Sequence, residues 1–347
     1  MNRQLIIKNQ IISDNSNVFV IAEIGHNHQG SLETCKNLIR LAWESGASAV
    51  KLQKRNNRNL YTNEFYNSPY TGPTSFGETY GEHREKLEFN KDQYIILKNY
   101  ADELGIIFFA TPFDLNSLDF LIDIGVPAIK IASGDLKTIP LLRAVSQVDL
   151  PVIISTGGSE LSDVETALKI LKPEKTGILQ CTAAYPAEAI DMDLRVITTY
   201  RERFPNSVIG LSSHDRGISF SVIASILGAR IVEKHFTFDR SAKGTDHSFS
   251  LEPIGLQKLV RDIKLGLEAM GSAKKQIHES EKNGIRKMGK SIVYKTDLPK
   301  GYILKESDLG FKSPLDGVST SEWDTVVGKK LLLDVRKETL LKQSDLN

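Results

Sequence analysis

Two histidines, His214 and His235, are the residues whose type and placement most directly suggest chemistry. Each follows a short run of β-branched and apolar residues, in VIGLSSH and IVEKHF. If these runs are consecutive parallel strands, both imidazoles lie at the carboxyl end of a sheet, where neighbouring strand ends meet. Imidazole suits several divalent metals, and two such ligands leave positions open for water and substrate. The pair therefore predicts a metal site; the alternative is that each histidine only hydrogen-bonds within the rim of the fold.

The earlier apolar runs also end in polar side chains. Eight runs alternate with eight helix-like segments, which favours a closed barrel over an open doubly wound sheet. No GxGxxG follows the first run, so the main motif of a dinucleotide-binding fold is missing. We predict an α/β fold, a (β/α)8 TIM barrel with its reacting groups at the strand ends. The polar ends are Glu23, Lys51, Gln53, Thr111, Lys130, Ser133, Ser155 and Gln180.

The predicted strands are 18–25, 49–53, 106–112, 128–132, 151–155, 177–182, 207–212 and 230–235. The predicted helices are 31–44, 92–104, 114–123, 140–146, 160–171, 193–203, 217–227 and 254–270. Residues 54–90 form the longest stretch without a regular pattern, and this stretch is rich in aromatic residues. A long loop inside a compact domain is usually functional or disordered. The aromatic content favours an ordered lid over the site.

Two lysines, Lys51 and Lys130, lie inside apolar runs, in AVKLQ and AIKIAS. An unpaired charge is costly in such surroundings. Each lysine is therefore expected to meet an anion: a carboxylate, a phosphate or a Schiff-base carbonyl. The alternative is a structural ion pair with Glu23 or Glu233. Glu23 is the natural general base, while Asp246 in KGTDHS either positions a substrate hydroxyl or forms an ordinary Asx turn.

The overall composition gives no reason to expect a nucleic acid or a membrane as partner. The chain has 347 residues, a net charge of +1 and 25% charged residues. Its amino terminus lacks the apolar core of a signal peptide, and its cysteines, Cys35 and Cys181, have no metal-ligand spacing. We expect a cytoplasmic protein with reduced, buried thiols.

The amino-acid composition of the chain changes after the last predicted barrel helix. We predict a barrel domain over residues 1–272, a polar and charged linker over 273–289, and a small β-rich domain over 290–347. The last segment is near the lower size limit for a self-sufficient core. It is expected to dock on something larger, such as a neighbouring subunit.

A series of motifs, taken in chain order, resembles a known family. They are FVIAEIGHNHQG, VKLQK, TYGEHREKLEF, ATPFD, KIASGD, ISTGG, LQCTAAYP, GLSSH, EKHFT and KGTDHS. Together they resemble the sialic acid synthases over nearly the whole chain. The tail is similar to the antifreeze-like (SAF, β-clip) domain of that family. The motifs TYGEHREKLEF and LQCTAAYP make the chain more similar to the animal-type synthase than to the commonest bacterial form.

This resemblance implies condensation of phosphoenolpyruvate with a hexosamine, such as N-acetylmannosamine or its 6-phosphate, by cleavage of a C–O bond. It also implies a divalent ion, Mn²⁺ or Mg²⁺, and a domain-swapped homodimer. By the same resemblance His214 and His235 bind the metal, and Glu23, Lys51 and Lys130 are catalytic. The implied substrate-binding residues are Gln53, Thr111, Ser133, Ser155, Tyr185, Ser212 and Asp246.

One departure from the family pattern bears on the sugar. Bacterial synthases place an arginine from a KRPG-like motif of the partner subunit near the N-acetyl group. The corresponding stretch here is FKSPLDG, with Ser313 in the place of that arginine. Mannose 6-phosphate, which gives KDN, is therefore an alternative acceptor, as is a diacetamido-trideoxyhexose, which gives a legionaminic or pseudaminic acid. A basic cluster, Lys54, Arg55 and Arg58, either takes a 6-phosphate or forms a solvated loop face.

The residues alone leave open two hypotheses besides this reaction. A metal-dependent pyruvate aldolase would use a similar metal pair but would release no phosphate. A carbohydrate-binding or ice-binding protein would suit the antifreeze-like tail. That second hypothesis does not explain the polar residues at the strand ends, and the charged tail does not suggest a flat, uncharged ice-binding face.

Overall fold

Eight parallel strands close into a barrel in the first part of the chain. The structure is a computed structural model that describes residues 3–347. The strands follow one another around the barrel in chain order, and the last strand pairs with the first. The barrel strands are β3 (Phe19–Gly25), β4 (Ala49–Lys54), β5 (Ile107–Pro112), β6 (Ile129–Ile131), β7 (Val152–Ser155), β8 (Thr176–Cys181), β9 (Val208–Ser213) and β10 (Ile231–His235).

A helix follows each barrel strand, which confirms the predicted (β/α)8 barrel. These helices are Leu32–Glu44, Lys91–Leu104, Leu115–Asp123, Ile139–Ser146, Leu161–Ile170, Val196–Arg203, Ser219–Ile226 and Pro253–Met270. Strand β3 is buried at all seven positions, as expected for parallel strands covered on both faces. The first helix begins where Ser31 accepts a hydrogen bond from the Thr34 amide. The helix Lys91–Leu104 ends at Gly105, whose φ of 77° is left-handed.

A short hairpin precedes the barrel and is absent from the predicted elements. Its strands, β1 (Gln4–Ile7) and β2 (Gln10–Ser13), are antiparallel. Leu5, Ile7 and Ile12 are buried and belong to the same hydrophobic core as the barrel strands. The turn places Lys8 at a φ of 52°, a conformation that is uncommon for lysine. The residue types therefore do not mark this turn.

Residues 54–90 are more regular than predicted. Three short helices occur there, Asn57–Leu60, Asn63–Tyr66 and Tyr80–Glu85. The third begins with a reciprocal pair of hydrogen bonds between Thr79 and Glu82. Aromatic rings pack on one another through this segment, which we call the β4 loop. The rings are Tyr61, Phe65, Tyr70, Tyr80 and His83.

The chain divides into two compact units, one ending at Gly271 and the other spanning Ser272–Asn347. The second unit contains the antiparallel strands β11 (Ser291–Tyr294) and β12 (Leu309–Lys312), extended by isolated bridges. A helix, Lys282–Met288, lies within the predicted linker. The unit has its own core, built around Ile292, Tyr294, Leu304, Leu309 and Leu341. Across residues 3–347, no helix is long and apolar enough to cross a membrane.

Gly210 provides a test of barrel packing. A Cβ at this position would lie 2.3 Å from the Ile231 carbonyl oxygen and 2.5 Å from a Leu179 methyl group. Overpacking of a tight core costs 1–3 kcal/mol and sometimes more, so Gly210→Ala is expected to lower the free energy of unfolding by about 3 kcal/mol. Denaturant unfolding measures the change. Gly72→Ala is the control, because a Cβ there meets no heavy atom within 4 Å; equal effects of the two variants would contradict the packing.

Candidate functional site

One cavity of about 560 Å³ opens at the carboxyl ends of the barrel strands, and every predicted site residue lines it. These residues are Glu23, Lys51, Gln53, Thr111, Lys130, Ser133, Ser155, Tyr185, Ser212, His214, His235 and Asp246. They come from all eight strands or the loops after them. Gln180, another predicted polar end, faces a neighbouring cavity of about 460 Å³ instead.

Lys51 and Glu23 form the central ion pair of this cavity. Lys51 Nζ lies 2.6 Å from Glu23 Oε2 and 3.9 Å from Glu233 Oε1. The same ammonium donates a hydrogen bond to Thr111 Oγ1 at 2.9 Å. Lys51 and Glu23 are adjacent because their Cα atoms pair in the register of β3 and β4. For Lys51, the structural ion pair considered from the sequence is therefore present.

Lys130 has different surroundings. Its Nζ donates to Ser155 Oγ at 2.6 Å and to the Ile131 carbonyl at 2.9 Å. Within the described part of the chain this ammonium forms no ion pair, although it is only 2% exposed. Burial lowers the pKa of Lys130. Ser133 also lines this wall, where its Oγ accepts a hydrogen bond from the Gly157 amide at 3.0 Å. Lys130, Ser133 and Ser155 thus offer a cation and two hydroxyls to an anion.

The two glutamates of the cavity differ in acidity. Burial raises the pKa of Glu23 to about 7; Lys51 acts to lower it, and Glu233 adds to the rise. Gln53 Nε2 donates to Glu23 Oε1 at 2.8 Å. Burial also acts to raise the pKa of Glu233, but Lys130 and Lys51 hold it below its ordinary value. Glu23 is thus the carboxyl whose proton is exchangeable near neutral pH.

The two histidines lie side by side, with ring centroids 5.4 Å apart. His214 Nδ1 is 2.9 Å from the Thr182 carbonyl oxygen, so this nitrogen carries the proton and Nε2 is left as the ligand atom. His235 Nδ1 is buried without a hydrogen-bond partner and lies 3.6 Å from Asp246 Oδ2. These donors fit a cation bound by two imidazoles. Among the described residues, no group of three or more His, Cys, Asp or Glu side chains is arranged to hold a metal.

A buried ion pair supports the segment that carries His214. Lys234 Nζ lies 2.6 Å from both the carbonyl oxygen and Oδ1 of Asp215, and its side chain is 1% exposed. The Asp215 carboxylate also accepts hydrogen bonds from Ser213 Oγ and the Gly217 amide. Asp215 directly follows His214, so these contacts fix the backbone beside that imidazole.

Tyr185, Ser212 and Asp246 lie around the histidines. The Tyr185 ring centroid is 4.2 Å from that of His214, and the Tyr185 side chain is largely exposed. Ser212 Oγ donates to Glu233 Oε1 at 3.2 Å. Thr245 Oγ1 donates to Asp246 Oδ1 at 2.7 Å. Tyr185 therefore covers the histidine pair from the solvent side.

Several residues that line the cavity were not among the predicted site residues: Arg55, Arg84, Phe113, Cys181, Glu233 and Thr245. Glu233 carries the same signal as Glu23, since it is an acidic residue inside an apolar strand. Arg84 lies in the β4 loop, where no spacing rule relates it to a strand end. Of the basic cluster, Arg55 alone lines the cavity. Lys54 instead binds Glu88 at 2.8 Å, and Arg58 stacks on Tyr66.

Four histidines outside the predicted metal pair are also buried. His26 lies between two arginines, His28 stacks on Phe89, His83 packs on Tyr70, and His247 hydrogen-bonds with Thr237. Ser313, in the place of the family arginine, is exposed and accepts a hydrogen bond from Lys290.

Comparison with known proteins decides the family. A family model described as the NeuB family matches residues 38–275, and a model described as the SAF domain matches residues 289–347. The chain belongs to the NeuB family. The predicted resemblance to the sialic acid synthases, with a carboxyl-terminal SAF domain, is therefore confirmed.

Relatives and solved structures agree with this assignment. The N-acetylneuraminate-9-phosphate synthase of Homo sapiens is 40% identical over 94% of this chain and 91% of its own length. The N,N'-diacetyllegionaminic acid synthase of Campylobacter jejuni is 35% identical over 93% of this chain and 98% of its own. The crystal structure of the N-acetylneuraminic acid synthetase of Leptospira borgpetersenii, in complex with citrate, has a TM-score of 0.71 and 35% identity. It covers 82% of this chain and 96% of that chain.

The Lys234–Asp215 pair is tested by Lys234→Met. The variant leaves a buried carboxylate without its cation, which is expected to lower the free energy of unfolding by about 3–5 kcal/mol. Lys98→Met is the control, since the Lys98–Asp102 pair is partly exposed and its loss should cost only about 0.3–0.5 kcal/mol. Denaturant unfolding compares the two variants. Adding Asp215→Leu to Lys234→Met should recover stability; no recovery would show that the loss does not come from the unpaired carboxylate.

Proposed function

We propose that the protein is a sialic acid synthase that condenses phosphoenolpyruvate with N-acetylmannosamine or its 6-phosphate. The products would be N-acetylneuraminate or its 9-phosphate, together with inorganic phosphate. The observation that carries this proposal is the single cavity in which Lys130 and its hydroxyls lie beside the imidazole pair and Glu23. The N-acetylneuraminate-9-phosphate synthase and the N-acetylneuraminic acid synthetase to which the chain is similar support the same reaction. The bond formed joins C3 of phosphoenolpyruvate to the aldehyde carbon of the open-chain sugar, water adds at C2, and phosphate leaves by C–O cleavage.

The residues of the cavity would have two tasks in this reaction, substrate binding and proton transfer. Lys130, Ser133 and Ser155 would bind the anionic groups of phosphoenolpyruvate and hold its C3 toward the sugar. Lys51 keeps Glu23 in place, and Glu23 would take the proton of the attacking water at its carboxylate. Asp246 and Gln53 would orient sugar hydroxyls. Tyr185 would limit the access of solvent above the histidines.

We also propose that His214 and His235 bind a divalent ion, Mn²⁺ or Mg²⁺. Support comes from the adjacent rings, the Nδ1 contact of His214 with the Thr182 carbonyl, and the carboxylate of Asp246 beside His235. When bound, such an ion acts as a Lewis acid on the sugar carbonyl.

Two further features belong to the proposal. The protein would act as a homodimer, as its resemblance to the sialic acid synthases implies, and sedimentation measures its mass in solution. It would work in the cytoplasm, because its cysteines, Cys35 and Cys181, are buried free thiols that suit a reducing compartment.

The alternative within the same chemistry is a related nonulosonate synthase. The 35% identity to the legionaminic acid synthase favours a diacetamido-trideoxyhexose as the acceptor of such an enzyme. Because Ser313 stands in the place of the family arginine, mannose 6-phosphate is another alternative acceptor. A metal-dependent pyruvate aldolase is the less favoured alternative, because pyruvate brings no phosphate for the hydroxyls beside Lys130.

Phosphate release from phosphoenolpyruvate tests the reaction. The assay contains Mn²⁺ and, separately, N-acetylmannosamine, its 6-phosphate, mannose 6-phosphate and a diacetamido-trideoxyhexose. Release should depend on one acceptor and be lost in His214→Ala, while the exposed His278→Ala should behave as wild type. Pyruvate-dependent turnover without phosphate release would instead identify an aldolase.

The role of Glu23 predicts a pH dependence. Because the pKa of Glu23 is raised to about 7, the carboxylate form that accepts a proton dominates only above that pH. The value of kcat/KM should therefore rise with pH through an apparent pKa near 7 and be lost as the pH falls. Glu23→Gln should remove this limb and lower kcat roughly 10²- to 10⁴-fold. The exposed Glu64→Gln is the control; a limb that persists in Glu23→Gln would assign it to another group.

A further inference from the structure

Arg55 and Arg84 form a second cationic wall of the cavity. Arg55 follows β4 and is 8% exposed, and Arg84 lies in the helix Tyr80–Glu85 of the β4 loop. Neither guanidinium forms an ion pair within residues 3–347. The carboxylates of Glu88 and Asp246, whose charges act on Arg55 and Arg84, have other partners: Glu88 pairs with Lys54 at 2.8 Å, and Asp246 lies beside His235 at 3.6 Å. Two cations thus face the cavity without a neutralising partner.

His26 holds the two arginines close together. Arg55 Nη1 is 3.1 Å from His26 Nε2, and Arg84 Nη1 is 3.2 Å from His26 Nδ1. Burial, with the charges of Arg55 and Arg84, keeps the pKa of His26 well below its ordinary value. A neutral imidazole has one accepting nitrogen and one N–H. Only one guanidinium can therefore donate to His26, and the other faces a ring N–H, so His26 leaves one of the two arginines without an acceptor on its ring.

The remaining contacts fix both guanidinium groups in place. Arg55 stacks 3.6 Å from the centroid of Phe113 and donates to Gln53 Oε1 at 2.8 Å. Arg84 donates to the Tyr80 hydroxyl from Nε and Nη2 at 3.1 and 2.9 Å. Stacked, planar guanidinium groups suit bidentate binding of a phosphate. The cluster is thus preorganised for an anion.

This wall is separate from the one that contains Lys130. Arg55 follows β4, whereas Lys130 lies on β6, two strands away around the barrel. The imidazole pair ends β9 and β10, next to β3. A cavity with two separate cationic walls suits two anionic substrates, one for each wall.

We propose that Arg55 and Arg84 bind the terminal phosphate of the acceptor, so that the protein prefers a hexosamine or hexose 6-phosphate to the free sugar. This inference rests on the proposed synthase function and adds the chemical class of its second substrate. It separates the basic cluster into one residue that binds the acceptor, Arg55, and two that do not, Lys54 and Arg58. Arg84, from the β4 loop, supplies the other half of the site.

The test compares acceptors in the wild type and in Arg55→Ala and Arg84→Ala. The readout is the ratio of kcat/KM for N-acetylmannosamine 6-phosphate to that for N-acetylmannosamine. The wild type should favour the phosphorylated sugar, and each variant should reduce the ratio roughly ten- to hundredfold, the range for one charge-assisted contact. A general defect in folding lowers both values and leaves the ratio unchanged. Arg84→Lys should retain part of the preference, and Arg58→Ala, outside the cavity, should retain all of it.

Other outcomes would overturn the inference. A wild-type ratio of one, with phosphate release intact, would remove the subsite and leave the synthase standing. A rise in the KM of phosphoenolpyruvate in place of a fall in the ratio would assign the arginines to that substrate. If no sugar supports phosphate release, the proposed function fails. Calorimetric titration with the two sugars then still tests the subsite, because equal affinity for both sugars would reject it.

Discussion

The contact between Lys51 and Glu23 is the constraint on which the rest of the site depends. Glu23, Glu233, Lys51 and Lys130 are all buried at the end of an apolar barrel, where isolated charges are costly. The register of β3 and β4 sets the ammonium of Lys51 against one carboxylate at 2.6 Å and leaves the other at 3.9 Å. This unequal pairing gives the two carboxylates of the cluster different surroundings, although the cluster holds two charges of each sign. Burial raises the pKa of Glu23 although Lys51 acts to lower it, whereas Lys130 and Lys51 together hold the pKa of Glu233 below its ordinary value.

The same ion pair gives different surroundings to Lys51 and Lys130, two lysines that occupy similar positions in the sequence. Both occupy the interior of an apolar strand, yet Lys51 has a carboxylate partner and Lys130 has hydroxyl and carbonyl oxygens. A buried ammonium that has only neutral partners gains most from an incoming anion. In the proposed reaction Lys51 would therefore mainly position Glu23, and Lys130 would be the lysine that contacts the substrate.

The residues at the strand ends could be predicted because the alternation of apolar runs with helix-like segments in the sequence indicates a closed barrel. Parallel strands covered on both faces are apolar throughout, so a polar side chain at the end of such a run is conspicuous, and all the predicted site residues line one cavity. The hairpin before the barrel escaped prediction because its strands have only four residues each and its turn uses Lys8 at positive φ. Arg84 escaped because its position depends on how the β4 loop folds back. Burial of the loop histidines is likewise a tertiary effect, since aromatic and guanidinium partners come from distant segments.

The β4 loop shows how a long connection becomes part of a precise site. Its order comes from ring packing, and the packing is close enough that a Cβ at Gly81 would lie 2.3 Å from the Tyr66 ring. Gly81 is three residues from Arg84 in the same short helix, so the helix that carries the guanidinium is held against that ring. A side chain fixed in this way loses little conformational freedom when an anion binds. The aromatic residues that looked like a lid in the sequence therefore do more than exclude water, because they position one of the two cations on the second wall of the cavity.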